Sequence, residues 1–243
     1  NSSIAQTRYK EPGNSKLLFA SNKQITTFNN YIQKLNQKSV FIFNKSSVQN
    51  VRIETKKLKT EGIIEFFILS LLTTNTAEVL IKTSSNLSPG DELSTYVADV
   101  RIINKTNSVF TVDFNTDVQG LINKYGKVPL PPYIKDDVSK YDDYKNQFSN
   151  GGFSVASSTA GLHFSLDMIS DLIKNGHKVF YINLDINLGT FKQIDTVMVE
   201  DYKIHSEYYC MDESDFENIL SLKKNGYNIV DVGTTVLRTL ETV

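Results

Sequence analysis

The chain has little cysteine, little histidine and no excess of charge of either sign. Cys210 is the single cysteine among 243 residues. No internal disulfide can form, and a metal site built from cysteines alone is excluded. A lone thiol fits a reducing, cytoplasmic setting. Lys and Arg number 26 against 27 Asp and Glu, a formal net charge of −1. Without a global basic field, any polyanion must be held by a local patch. No apolar run approaches the roughly 20 residues that cross a bilayer, so no membrane is expected as a partner. No G-x-S-x-G elbow occurs, which argues against a serine hydrolase of the α/β type. What remains is ordinary for a folded protein: 40% hydrophobic and 22% charged residues, at a length that suits one large domain or two smaller ones. The start at Asn1 in place of Met, and the stop at "TLETV" inside a helical pattern, read as a fragment cut at both ends.

The last third alternates helix and strand. Ser165 reads as an N-cap, with Leu166, Met168, Ile169, Leu172 and Ile173 at helical spacing and Gly176 closing the helix. "HKVFYINLD" (177–185) then reads as a strand. His177, just after the glycine, reads as a surface residue at the strand start. Ser214 and Glu217 predict a capping box for the next helix, which Gly226 ends before the buried strand "NIVDV" (228–232). Residues 51–126 differ: short β-branched runs such as "IIEFFIL" and "AEVLIK" are separated by turn signals such as "SPGD". The fold class expected is therefore α/β. A mainly parallel sheet with flanking helices, formed by residues 1–50 and 127–243, carries an inserted small antiparallel β-barrel domain at 51–126. Asp117 to Tyr125 reads as a short helix, and the prolines of "GKVPLPPYI" (126–134) predict an extended connector.

Several motifs bear on chemistry. "GLINKYGKV" (120–128) fails as a phosphate loop, because five residues separate its glycines and Val128 stands where Ser or Thr would hold magnesium. "HSEYY" (205–209) reads as a strand that places His205 and Glu207 on one face. Such a pair can act as a tuned base, help to hold a metal, or form a hydrogen-bonded edge pair. "SSTAGLHF" (157–164) puts His163 on a turn that opens a helix, behind the small residues Thr159 and Gly161. "VGTT" (232–235) repeats the arrangement: buried strand, Gly233, the hydroxyls Thr234 and Thr235, then helix. Free N–H groups at such turns suit anions, and in open α/β sheets ligands bind beyond the C-terminal strand ends. The two openings predict one shared pocket. Ordinary capping by Ser and Thr is the alternative.

The pieces "IAQT", "SKLL", "VFIFN", "LSPGDEL", "GKVPLPPYI", "STAGLHF", "LGTF", "HSEYY" and "VGTTVLRTLE" stand in this order along nearly the whole chain. Together they resemble the S-adenosylmethionine:tRNA ribosyltransferase-isomerase family of the queuosine pathway. That resemblance implies an α/β domain with an inserted β-barrel. It also implies transfer and isomerisation of the ribosyl part of S-adenosylmethionine onto 7-aminomethyl-7-deazaguanine in a tRNA anticodon stem-loop. Epoxyqueuosine forms, and adenine and methionine leave. S-adenosylmethionine serves as ribosyl donor, and no metal is expected. His163 and His205 are the implied acid/base pair, with Glu207 orienting His205. Thr159, Thr234 and Thr235 would donate to ribose hydroxyls or the methionine carboxylate. Arg238 would grip that carboxylate or a phosphate, and Tyr133 would stack on a base. Gly161, Gly189, Thr190 and Gly233 complete the expected binding set. The sequence leaves open whether Lys56, Lys57 and Lys59 form the RNA patch, and a monomer is the default. Departures from the family pattern include Pro12 and Gly13 in place of Arg-Asp, and Asp185 in place of a histidine. They motivate a second reading, a relative that binds tRNA or S-adenosylmethionine without turnover. A third, from His205 and Glu207 alone, is a metal-dependent small-molecule hydrolase.

Overall fold

The computed structural model describes residues 6–7, 9–131, 133–135, 141–187, 196–201 and 206–243. The chain divides into two compact units, Asn1–Val48 with Pro132–Val243, and Gln49–Pro131.

The first unit opens with a hairpin, β1 (Lys16–Phe19) and β2 (Gln24–Thr27), followed at once by the helix α1 (Phe28–Gln33). Thr27 caps that helix by accepting a hydrogen bond from the Asn30 N–H. The strand β3 (Ser39–Asn44) is "SVFIFN", a nearly unbroken apolar run, and every one of its residues is buried. A strand of this kind needs cover on both faces, and β3 has it. Phe41 and Phe43 join Ile32 of α1 and Phe164, Met168, Ile169 and Leu172 in one cluster. Val40 and Ile42 join Ile182, Leu184, Ile219 and Val236 in another.

In the second unit β4 (Arg52–Lys56), β5 (Ile63–Leu71), β6 (Thr76–Thr83), β7 (Glu92–Ser94), β8 (Asp99–Thr106) and β9 (Val109–Asp113) form an antiparallel sheet of order β4-β5-β6-β9-β8-β7. The sheet curls until its two edge strands meet just past the ends of β4 and β7. Lys57 pairs with Thr95, and the Leu58 N–H donates to the Ser94 carbonyl at 2.9 Å. The result is a half-barrel cored by Ile53, Ile64, Phe66, Ile68, Val79, Ile102 and Val112. The helix α2 (Val118–Tyr125) buries Val118, Leu121 and Ile122, and Asp117 caps it by accepting from the Gln119 and Gly120 N–H groups.

Back in the first unit, α3 (Leu166–Lys174) leads to β10 (Lys178–Leu184). After β11 (Tyr209–Cys210), α4 (Glu213–Lys224) leads to β12 (Asn228–Val232), and α5 (Thr234–Leu240) follows. The sheet order is β11-β10-β3-β12, with β10 and β12 parallel to β3 and β11 antiparallel to β10. The expectation of a mainly parallel sheet is therefore corrected: β10-β3-β12 and one isolated bridge, Val48 with Ser154, are the parallel part, and the other strand pairings among the described residues are antiparallel. The cause is the connections. A parallel neighbour needs a long crossover, usually a helix, and here only α3 and α4 lead into such strands. Short turns join the strands of the half-barrel, as between Leu71 and Thr76 or Thr106 and Val109, and short turns permit only antiparallel pairing.

Two local readings are corrected as well. The cap of α4 is Asp212, not Ser214; its carboxylate accepts from the Ser214 N–H at 2.9 Å and also from the Ser214 hydroxyl. His177 is not a surface residue. It is 4% exposed, sits edge-on to Phe41 at 5.7 Å, and its Nδ1 accepts from the Ser39 N–H at 3.2 Å. Burial lowers its pKa from the usual imidazole value. Ser165, Gly176 and Gly226 do what the sequence predicted: Ser165 accepts from the Met168 N–H, and both glycines have φ above +80° where their helices end.

Candidate functional site

The parallel strands end, at their C-terminal side, on Asn44, Leu184 and Val232. Polar residues follow immediately. Asn44, 2% exposed, uses its amide to tie β3 to β10: Nδ2 donates to the Leu184 carbonyl at 2.9 Å, and Oδ1 accepts from the Leu184 N–H at 3.1 Å. Beside it, the Ser154 hydroxyl donates to Ser46 Oγ at 2.9 Å, and the Ser46 hydroxyl donates in turn to Asp185 Oδ1. The Phe153 N–H donates to the same oxygen at 2.9 Å. A glycine is required next to this network. At Gly152 φ is +73°, and a Cβ would lie 2.2 Å from Ser46 Oγ and 2.6 Å from Asp185 Oδ1.

The two openings read from the sequence come together. A 3₁₀ turn, Thr159–His163, precedes α3, and Gly233 starts α5. Ser158 Oγ lies 3.3 Å from Thr235 Oγ1. Gly233 has φ +100°, and a Cβ there would be 3.2 Å from that of Ala160. Thr159 and Thr234 are exposed, and Thr235 is half-buried. Gly161 has a packing role: its missing Cβ would sit 2.7 Å from Phe148 Cζ and 2.8 Å from Asn146 Oδ1. Asn146 Nδ2 anchors the same turn by donating to the Ser158 carbonyl at 3.1 Å.

Tyr144 ends a short 3₁₀ turn, Asp142–Tyr144. Burial pushes its phenol up to about 12, although a hydrogen bond from the Ser157 backbone N–H acts the other way, and Tyr133 stands close enough to raise it further. Tyr133 itself is 56% exposed. The Gln6 side chain holds its backbone, donating to the Tyr133 carbonyl at 3.1 Å and accepting from the Lys135 N–H at 2.9 Å. The "IAQT" and "PPYI" motifs are thus two halves of one contact.

The Glu207 side chain is only 7% exposed. Its Oε1 accepts from the Asn187 N–H at 2.9 Å, and Arg238 Nη1 donates to its Oε2. Glu207 precedes the short strand β11 and does not lie within it. His163 has other neighbours: its Nδ1 is 3.1 Å from Ser15 Oγ, and its ring lies 5.6 Å from that of Phe28. His205, Gly189 and Thr190 lie outside the described residues. Among the described residues no three His, Cys, Asp or Glu side chains gather as a metal-holding group.

Sequence reasoning did not single out Ser46, Asn146 or Asp231. The signal was present for Ser46 and Asp231, as polar residues at the C-terminal ends of apolar strands. Burial raises the Asp231 carboxyl above the ordinary range, and nearby Glu241 adds to this.

The S-adenosylmethionine:tRNA ribosyltransferase-isomerase of Acetivibrio thermocellus is 33% identical over 223 residues, 89% of this chain and 65% of that protein. Its namesake from a Sulfurihydrogenibium species is 34% identical over 243 residues, 96% of this chain and 72% of that protein. This chain therefore spans about two thirds to three quarters of the length of these relatives. A solved structure of the S-adenosylmethionine tRNA ribosyltransferase from Thermotoga maritima aligns over 99% of this chain and 69% of its own, at 21% identity and a TM-score of 0.41. The family model described as queuosine biosynthesis protein matches residues 1–243. A match over that whole span, together with these relatives, means that the chain belongs to the queuosine biosynthesis protein family.

Proposed function

We propose that this protein transfers and isomerises the ribosyl part of S-adenosylmethionine onto 7-aminomethyl-7-deazaguanine in a tRNA anticodon stem-loop. Epoxyqueuosine-tRNA forms, and adenine and methionine are released. The observation that carries the reading is the meeting of two hydroxyl-bearing turns, Ser158 with Thr235 and Ala160 with Gly233, beyond the C-terminal ends of the parallel strands. Exposed Thr159 and Thr234 flank that junction and suit ribose hydroxyls or the methionine carboxylate.

The sulfonium of the cosubstrate supplies the electron sink. A base removes a proton next to it, adenine leaves, the amine of the modified base adds, and an alkoxide expels methionine. Such a path needs proton carriers and donors to the developing oxyanion, not a metal. His163 and His205 are assigned the proton transfers, with Glu207 orienting His205. Glu207 also fixes Arg238, which places a guanidinium on the last turn of α5 for the methionine carboxylate or a phosphate. Tyr133 is assigned to base stacking, and Gly189 and Thr190 to the same binding set. In this reading the half-barrel is a domain inserted into the α/β unit. The protein works in the cytoplasm as a monomer.

Adenine release tests this directly. Protein, S-adenosylmethionine and tRNA bearing 7-aminomethyl-7-deazaguanine are incubated together and with each substrate left out. Adenine appearing only in the complete mixture is the expected result. Binding of both substrates with no adenine released would replace the transferase with a binding-only relative.

A further inference from the structure

Charge is strongly segregated along this nearly neutral chain. Residues 1–48 carry seven Lys and Arg against one Glu, whereas residues 49–131 carry nine of each sign. Residues 132–243 carry ten bases against seventeen acids. The basic excess therefore belongs to the N-terminal segment, which contains the β1–β2 hairpin and α1.

Within that segment Lys16, Lys23 and Lys34 are exposed. Lys16 shares the outward face of β1 with Leu18, and the cross-strand partner of Leu18 is Ile25. Leu18 is 63% and Ile25 68% exposed, an apolar pair left facing solvent on a two-stranded ribbon. Lys23 stands in the turn at the tip, with φ +56°. On α1 the Tyr31 ring, 37% exposed, packs 5.4 Å from Phe19, and Lys34 follows at the helix end. Exposed cations on the same hairpin and helix as one exposed ring, Tyr31, and an apolar ridge fit a single-stranded or looped RNA, whose phosphates need charge and whose bases need stacking surfaces. The base of the ribbon is tied to the candidate site. Ser15, just before β1, meets His163, and Phe28, the first residue of α1, lies against both His163 and Phe164.

The half-barrel offers a competing surface, a cleft of about 710 Å³ that holds Lys57, Lys59 and Arg101. It also holds Glu92, Asp99 and Asp113, so its charges cancel. Lys57 is buried, and its ammonium donates to Ser85 Oγ at 2.7 Å. A cleft of balanced sign gives a polyanion no net attraction.

We propose that the β1–β2 hairpin with α1 is the RNA-docking surface, receiving the phosphate backbone and loop bases of the anticodon stem-loop. This rests on the tRNA reading above and names where that substrate lands. The test uses a synthetic anticodon stem-loop RNA and the whole protein. Affinity is measured against salt concentration for the wild type, for a Lys16→Gln, Lys23→Gln, Lys34→Gln triple variant, and for a Lys59→Gln, Arg101→Gln variant of the half-barrel.

Each lost phosphate contact removes about 0.7 from the slope of log affinity against log salt on a single strand. The triple variant should therefore lose about 2 from the slope and on the order of tenfold or more in affinity at low salt, with its melting temperature unchanged. The half-barrel variant should match the wild type. A triple variant indistinguishable from wild type, or a slope lost only in the half-barrel variant, overturns the docking surface and leaves the transferase reading standing. A wild type with no salt-dependent RNA affinity removes both.

Discussion

Replacing Gly233 with alanine separates a turn that is merely a turn from one that forms part of a site. Gly233 has φ +100° and ψ 159°, a region in which only glycine is comfortable, and a side chain there costs about 1–3 kcal/mol. The new Cβ would also stand 3.2 Å from the Ala160 Cβ and 3.5 Å from Ser158 Oγ. Those atoms belong to the neighbouring turn, which must shift by a few tenths of an ångström. Gly226 is the control. It also has positive φ, +84°, but nothing lies within 4 Å of a Cβ built on it. Gly226→Ala should cost about 1 kcal/mol. For a chain of this size that corresponds to a melting temperature lower by about 2–4 °C. Gly233→Ala should cost about 2–3 kcal/mol, or roughly 5–10 °C. It should also weaken S-adenosylmethionine binding, because it spreads the two turns, while Gly226→Ala leaves binding intact. Scanning calorimetry and titration calorimetry read the two effects on the same samples. If Gly233→Ala melts no lower than Gly226→Ala and binds S-adenosylmethionine as tightly as wild type, the two turns do not form one pocket.

Two further outcomes follow from groups in the same unit. The His177 pKa is lowered on folding, so the folded state disfavours its protonation. The stability it contributes is present above the unfolded imidazole value, about 6.5, and is lost as pH falls from there through the depressed folded value. Thermal melts between about pH 7.5 and 5 should show wild type losing more than His177→Gln, and parallel curves would refute the buried acceptor role. For Glu207 and Arg238, Arg238→Met should destabilise by about 1–3 kcal/mol, because it leaves a buried carboxylate short of a donor. The Glu207→Gln, Arg238→Met double variant should recover part of that loss, and strictly additive effects in a denaturant-based double-mutant cycle would contradict the pairing.

The parts that local chemistry determines were legible in the sequence. Ser165, Gly176 and Gly226 each act within a few residues of themselves, through a hydroxyl on a free N–H group or through a glycine at positive φ. The pairing of the two openings was legible too, since parallel strands bring their C-terminal ends together. The misses needed a partner from far along the chain. His177 looks like a surface residue until β10 lies beside β3, which brings the Ser39 N–H, 138 positions away, against its ring. Glu207 finds Arg238 31 positions on. Asp212 and Ser214 are both competent caps two residues apart, and neither spacing nor residue type separates them; in the structure the serine serves the aspartate. The share of parallel strands was over-read because the helix–strand alternation of the last third was extended to the whole first unit, where β11 and the β1–β2 hairpin pair antiparallel.

The two ends of the half-barrel segment are zipped to each other. Arg52 and Lys127 exchange backbone hydrogen bonds at 3.1 and 2.8 Å. A flexible insertion between β3 and β10 would oblige those strands to close a long loop before they could pair, and that entropy grows with loop length. Once the half-barrel has formed from its own contiguous residues, the Arg52–Lys127 pairing shortens the loop that β3 and β10 must close. The half-barrel can form as soon as its segment has left the ribosome, whereas β3 must wait for β10 and β12. The slow, long-range assembly of the first unit then starts from a chain already shortened for it.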